Sequence, residues 1–174
     1  MRMASIHPGA PDVCGDGVNN DCDHVDDDTR GTRFGDYTIN SPSDLALLSG
    51  YSSITGELRI SLSDAFPDHT NVTGLECLVD VDGCLHIHDN AALTNLDGLR
   101  GLTSVAGNLT IRGNHVLANL DGLNGLESVG GNLNISNNSA LPPCAAEALV
   151  ARLRAHGWDG TAEIIDNDET GTCP

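Results

Sequence analysis

Lysine is absent from this 174-residue chain: its eight basic residues are all Arg, against 25 Asp and Glu, giving a formal net charge of −17. A field of that sign repels phosphate backbones and anionic bilayers, so nucleic acid is not expected as a partner, while cations are favoured. Aromatics are scarce, at 3% of a chain that is 39% hydrophobic. The apolar side therefore rests on Leu, Ile, Val and Ala, which suit thin repeated layers better than a core built on large rings. No stretch is long and apolar enough to span a bilayer, so no membrane insertion is expected. The opening residues, Met1 to Pro8, lack the apolar run of an export signal. No Cys-x-x-Cys pair occurs, which speaks against a zinc ribbon or a thioredoxin-like centre. Nucleophile-elbow and triad signatures are missing too, so the chain does not read as an enzyme.

Six cysteines are present: Cys14, Cys22, Cys77, Cys84, Cys144 and Cys173. An even number favours disulfides and an oxidising, extracytoplasmic setting, secreted or at the cell surface, although no export signal is seen. Six cysteines allow about 15 connectivities. Their grouping into near neighbours favours Cys14–Cys22, Cys77–Cys84 and Cys144–Cys173.

The dominant pattern is a repeat. From Gly83 the chain runs Leu85, Ile87, Asn90, Leu93, Leu96, Leu99, Leu102, Val105. Gly107 restarts it with Leu109, Ile111, Asn114, Leu117, Leu120, Leu123, Leu126 and Val129, and Gly131 begins it again with Leu133, Ile135, Asn138 and Leu141. Both intervals are 24 residues, a period that signals stacked repeat units. Earlier starts are legible at Gly35-Asp-Tyr37-Thr-Ile39 and Gly56-Glu-Leu58-Arg-Ile60, and a last one at Gly160-Thr-Ala162-Glu-Ile164.

Gly-x-Leu-x-Ile alternates, as a strand with one buried face must. Asn90, Asn114, Asn138 and Asn167 would stack where the chain leaves each strand, their amides bonding backbone groups. Leucines every three residues are too tight for an amphipathic α-helix and suit a path returning one side chain per short segment inward. One unit cannot bury its own row, whereas stacked neighbours bury a continuous one. Pro142 to His156 instead reads as a short amphipathic helix opened by Pro and closed by Gly157, placed to cap the stack, with Trp158 packed beneath it. The expected fold is thus mainly β: a solenoid of about six coils with a short C-terminal capping helix, over residues 34–174. Residues 1–33 form a separate acidic segment.

Gly-x-Leu-x-Ile-x-x-Asn followed by Leu-x-x-Leu-x-Gly-Leu-x-x-Leu-x-x-Val resembles the receptor L-domain repeat, from about Phe34 to Asn167. That family includes the ligand-binding lobes of insulin- and EGF-type receptors and many bacterial surface proteins. The resemblance implies a right-handed β-helix related to leucine-rich repeats, and recognition rather than catalysis.

Two constellations carry candidate chemistry. Between Cys14 and Asp28, the side chains of Asp16, Asn19, Asn20, Asp21, Asp23, Asp26 and Asp27 supply closely spaced oxygens, with glycines for turning, as a hard cation such as Ca2+ requires. The segment resembles the Cys-x-Asp-Gly-x-Asp-Asn-Asp-Cys-Asp metal-binding motif of secreted myxobacterial proteins, with Asn19 in place of an Asp and His24 in place of a Gly. An acidic linker with a small disulfide loop is the alternative. The second constellation lies on the strands. His86 and His88 point outward, because Leu85 and Ile87 point in. Arg59, Thr110, Arg112 and Asn134 fall alongside on neighbouring strands, forming a locally basic strip. No Asp, Glu or Cys reads as a third metal ligand beside the two histidines.

The sequence thus predicts an extracytoplasmic recognition or adhesion module binding a protein or glycan through the strand face or loops. A calcium-stabilised structural surface protein is the alternative, and a β-helix polysaccharide-degrading enzyme is the weakest reading.

Overall fold

The computed structural model describes residues 31–62 and 68–168. In chain order the elements begin with β1 (Thr32–Arg33), β2 (Tyr37–Ile39), α1 (Pro42–Leu48), β3 (Ser53–Ile54), β4 (Leu58–Ile60) and β5 (Asp80–Val81). They continue with β6 (Leu85–His88), β7 (Ser104–Val105), β8 (Leu109–Arg112), β9 (Ser128–Val129), β10 (Leu133–Ser136), α2 (Pro143–Ala155) and β11 (Ala162–Ile165). Single 3-10 turns lie at Asp97–Leu99 and Asp121–Leu123.

The strands sort into two parallel sheets. One has five strands in the order β1-β3-β5-β7-β9, and the other six in the order β11-β10-β8-β6-β4-β2. Leu85 pairs with Leu109 and Leu109 with Leu133, so the 24-residue repeat becomes the register of the larger sheet. Each repeat also adds a two-residue strand to the smaller one, Val81 beside Val105 beside Val129.

This arrangement corrects the expected fold class. Two parallel sheets accompanied by two helices make an α/β-like arrangement, and the described residues show no closed solenoid or β-helix in place of the mainly-β form predicted. The physical reason lies in the leucine rows. A spacing of three matches the 3.0 residues per turn of a 3-10 helix, and Leu99 and Leu123 sit in such turns. That side of each repeat runs through turns and 3-10 segments, so no third sheet forms to close a coil.

The interior follows the repeat. Leu93, Leu96, Leu99 and Leu102, their counterparts Leu117, Leu120, Leu123 and Leu126, and the inward strand residues Leu85, Ile87, Leu109, Ile111, Leu133 and Ile135 are all buried. Each such side chain contributes about 1.5–3 kcal/mol of burial before entropy. Close stacking leaves no room for side chains at some glycines: a Cβ at Gly122 would lie 1.8 Å from the Leu96 carbonyl oxygen.

A ladder of buried asparagines links the repeats. Asn90 Nδ2 donates to the Ile60 carbonyl, Asn114 Nδ2 to that of Ile87, Asn138 Nδ2 to that of Ile111 and Asn167 Nδ2 to that of Ile135, at 2.8–3.1 Å. Each Oδ1 in turn accepts a backbone N–H from the preceding unit, from Leu62 to Asn90 (2.6 Å) through Asn138 to Asn167 (3.2 Å). The asparagine's two-sided amide fits this position because it must both donate and accept.

Two short elements brace the stack. Asp44 Oδ2 accepts from the Asn40 and Ser41 N–H groups and from the Ser41 hydroxyl, at 3.0, 2.9 and 2.8 Å, fixing the start of α1. From α2, Ala146, Leu149 and Leu153 are buried. Arg152 donates to the Leu123 carbonyl at 2.5 Å, the Leu126 carbonyl at 3.4 Å and Asn124 Oδ1 at 3.1 Å. Trp158, 7% exposed, donates its indole N–H to the Gly131 carbonyl at 2.8 Å, and the Arg154 guanidinium lies 4.6 Å from its ring centre.

Cysteine pairing needs a second correction. Cys84 is a free thiol, so the expected Cys77–Cys84 bridge is not made. Cys77 is buried among the leucine turns while Cys84 opens β6 on the sheet's outer side, and seven residues of sequence separation place them on different sides of the repeat. Cys77 and Cys144 are each disulfide-bonded. Cys14, Cys22 and Cys173 lie outside the described residues.

Candidate functional site

Strand alternation decides what the larger sheet displays. Positions flanking the buried Leu and Ile face outward, and parallel register aligns them into rows running across the sheet. The central row is Thr38, Arg59, His86, Thr110, Asn134, Glu163. Beside it His88, Arg112 and Ser136 align. The register thus brings the six expected strip residues, Arg59, His86, His88, Thr110, Arg112 and Asn134, onto one surface in two adjacent rows.

A third row lies where the strands begin. The Leu58 N–H donates to the Cys84 carbonyl and the Leu85 N–H to the Asn108 carbonyl, both at 2.9 Å, which places Glu57, Cys84 and Asn108 side by side. This row alters the chemistry anticipated from the sequence. Glu57 Oε1 pairs with Arg59 Nε and lies 3.7 Å from His86 Nε2. At the other end of the surface, Asn134 Nδ2 donates to Glu163 Oε2, and Ser136 Oγ donates to Asn134 Oδ1 at 2.7 Å. His88 Nδ1 is 3.1 Å from Asp89 Oδ2. The strip is therefore mixed in charge rather than basic, and its exposed Arg112 makes no salt bridge among the described residues.

His86 is only 24% exposed at its side chain. Burial pushes its imidazole below the ordinary value of 6.5, assisted by Arg59 and His88 and opposed by the Glu57 carboxylate. It is accordingly neutral at physiological pH, with a ring nitrogen free to accept a hydrogen bond or bind a metal.

Sequence reading found no third ligand near the histidines, and here the structure adds two residues. Glu57, Cys84 and His86 are all half-buried, and one ligand atom from each lies within 4.8 Å of the others. The signal was present in the alignment of Gly56-Glu57-Leu58 with Gly83-Cys84-Leu85, which sets Glu57 next to Cys84 and both next to His86. The expected Ca2+ ligands Asp16, Asn19, Asn20, Asp21, Asp23, Asp26 and Asp27 lie outside the described residues. Among the described residues no helix is long and apolar enough to cross a membrane. In comparisons with known proteins, the chain matches no family model, and no curated protein matches it.

Proposed function

We propose that this chain is an extracytoplasmic recognition or adhesion module that binds a protein or glycan across the outer face of its six-stranded sheet. The observation that carries the reading is the open face itself. Parallel sheets are ordinarily covered on both faces, yet Arg59, His86, His88, Thr110, Arg112 and Asn134 are exposed or half-exposed and polar, with Ser136 of the second row buried. A rigid array of Arg, His, Thr and Asn side chains at about 4.8 Å spacing suits a polar ligand lying across the strands. The resemblance of the repeat to the receptor L-domain supports the same function, and bonded Cys77 and Cys144 support an oxidising compartment.

The test is a screen of immobilised glycans and candidate surface proteins against the intact chain, followed by a variant in which Arg59, Thr110 and Arg112 are all Ala. Saturable binding that the triple variant loses, at an unchanged melting temperature, supports recognition through this face. Saturable binding that the variant retains would place recognition elsewhere, and the absence of any saturable ligand would leave a structural protein as the better reading.

A further inference from the structure

We propose that Glu57, Cys84 and His86 form a zinc-type metal site with three protein ligands and a fourth position open toward the outer face. This inference concerns the starts of β4 and β6 and stands whether or not the face binds a partner.

The donor set is the first argument. One thiolate sulfur, one imidazole nitrogen and one carboxylate oxygen are the three ligand types zinc uses, and three protein ligands with a free fourth position is a recurrent arrangement. Such a mixed set is too soft for calcium or magnesium, which take oxygen. Geometry is the second argument. Tetrahedral zinc with bonds of about 2.0–2.3 Å sets its ligand atoms about 3.3–3.6 Å apart. The Glu57 Oε1 to His86 Nε2 distance of 3.7 Å is already close to that, and all three ligand atoms lie within 4.8 Å of one another. Closing the remainder needs only side-chain rotation, because parallel register holds the backbones: Leu58 against Leu85 and Arg59 against His86.

The state of the carboxylate is the third argument. Glu57 Oε1 is sealed from solvent with no hydrogen bond, and its cationic partner is the Arg59 guanidinium. A buried carboxylate oxygen needs such a cation, and a metal would replace Arg59 in that role. Its side chain is 53% exposed, free to swing outward when a metal takes its place. The thiol is available as well: Cys84 is free, and its Sγ accepts the Asn108 N–H at 3.4 Å, which fixes the sulfur at the start of β6. On binding, the thiol gives its proton to solvent and sulfur donates a lone pair to the metal. The two anionic ligands then balance the charge of a divalent ion.

Cobalt(II) is the probe, because its thiolate complexes absorb in the near ultraviolet and the acidic residues 16–27 supply oxygen ligands that give no such band. The intact chain is titrated with cobalt, and zinc is then added to displace it. One equivalent should produce a charge-transfer band that zinc removes. Cys84→Ser should abolish the band, while Glu57→Gln and His86→Ala should each weaken binding at least about tenfold. Arg59→Ala, which keeps all three ligands and removes the competing cation, should bind as tightly as the parent or more so. Alkylation of Cys84 in the unmodified sequence, followed by mass spectrometry, should be slowed by zinc, a readout that needs no variant to fold. The proposal is overturned by a saturated titration without a thiolate band, by a band that survives in Cys84→Ser, or by affinities that neither Glu57→Gln nor His86→Ala changes.

Discussion

Asn114 Oδ1 accepts two hydrogen bonds from Asn90, one from its backbone N–H at 3.2 Å and one from its side-chain Nδ2 at 2.8 Å. Both residues are buried, at 0% and 1% exposure, so neither has water as a substitute partner. Replacing Asn114 by Ala strands the Asn90 N–H and removes one donor from the Ile87 carbonyl, while the Asn90 amide keeps the Ile60 and His88 carbonyls. At about 1–3 kcal/mol for a buried group left unsatisfied, Asn114→Ala should lose about 1–3 kcal/mol. Urea denaturation measures this, and a loss under about 1 kcal/mol would show the ladder to be dispensable.

A second prediction concerns the glycine of the leucine turns. A Cβ at Gly122 meets the Leu96 carbonyl oxygen and carbon at 1.8 and 2.2 Å, and this is backbone that cannot rotate away. Gly122→Ala should therefore destabilise by about 3 kcal/mol, the upper end of what overpacking costs. The equivalent Gly98→Ala, facing the Val72 carbonyl at 2.0 Å, should behave alike. Thermal melting of the two variants checks the pair, and a variant within a degree of the parent contradicts the stacking argument.

Arg152 fastens α2 to the turn Leu123–Leu126 through three acceptors. Lysine keeps the charge but not the planar fork, so Arg152→Lys should recover little of what Arg152→Ala loses, about 1–3 kcal/mol for charged hydrogen bonds. Trp158 is the single tryptophan and packs below this helix, so its emission reports docking directly. A red shift at lower denaturant in both variants is expected; a shift in Ala alone would assign the effect to charge.

Hydrogen bonds from the Ser41 hydroxyl and from the Asn40 and Ser41 N–H groups hold the Asp44 carboxyl below its ordinary value of 3.8, outweighing partial burial. A carboxylate whose folded-state value is depressed contributes stability above its unfolded value, and that contribution fades as pH falls through the lower folded one. The stability gap between the parent and Asp44→Asn should consequently be full at neutral pH and shrink below 3.8. Denaturation series at neutral and acid pH test this; a gap independent of pH would assign the effect to shape rather than charge.

The repeat made much of this molecule readable in advance. Alternation in Leu85-His86-Ile87-His88 fixes which side chains are inward, and the common glycine start fixes which strands lie side by side, so the two-row surface follows from sequence alone. The asparagines at 24-residue intervals announce their own stacking. The class of fold was less accessible. Leucines three apart describe a strand-like path and a 3-10 turn equally well, and two-residue strands such as Ser104–Val105 are too short to leave a pattern. Cysteine spacing misled because proximity along the chain says nothing of direction: Cys77 points into the interior and Cys84 begins an outward row. Glu57 was overlooked for a related reason, since it lies 27 residues before Cys84 and meets it only through the pairing of β4 with β6.

The asparagine ladder also governs how this protein can change length. Every amide from Asn90 to Asn138 donates forward to the next asparagine's Oδ1 and back to the preceding unit's isoleucine carbonyl, so a complete extra 24-residue unit inserted between Ala106 and Gly107 would restore each contact it interrupts. A fragment of a unit would sever the chain of amides and misalign both sheets at once. Growth and loss in such a protein should therefore proceed in whole units, and the arithmetic of its gene is set by a carboxamide.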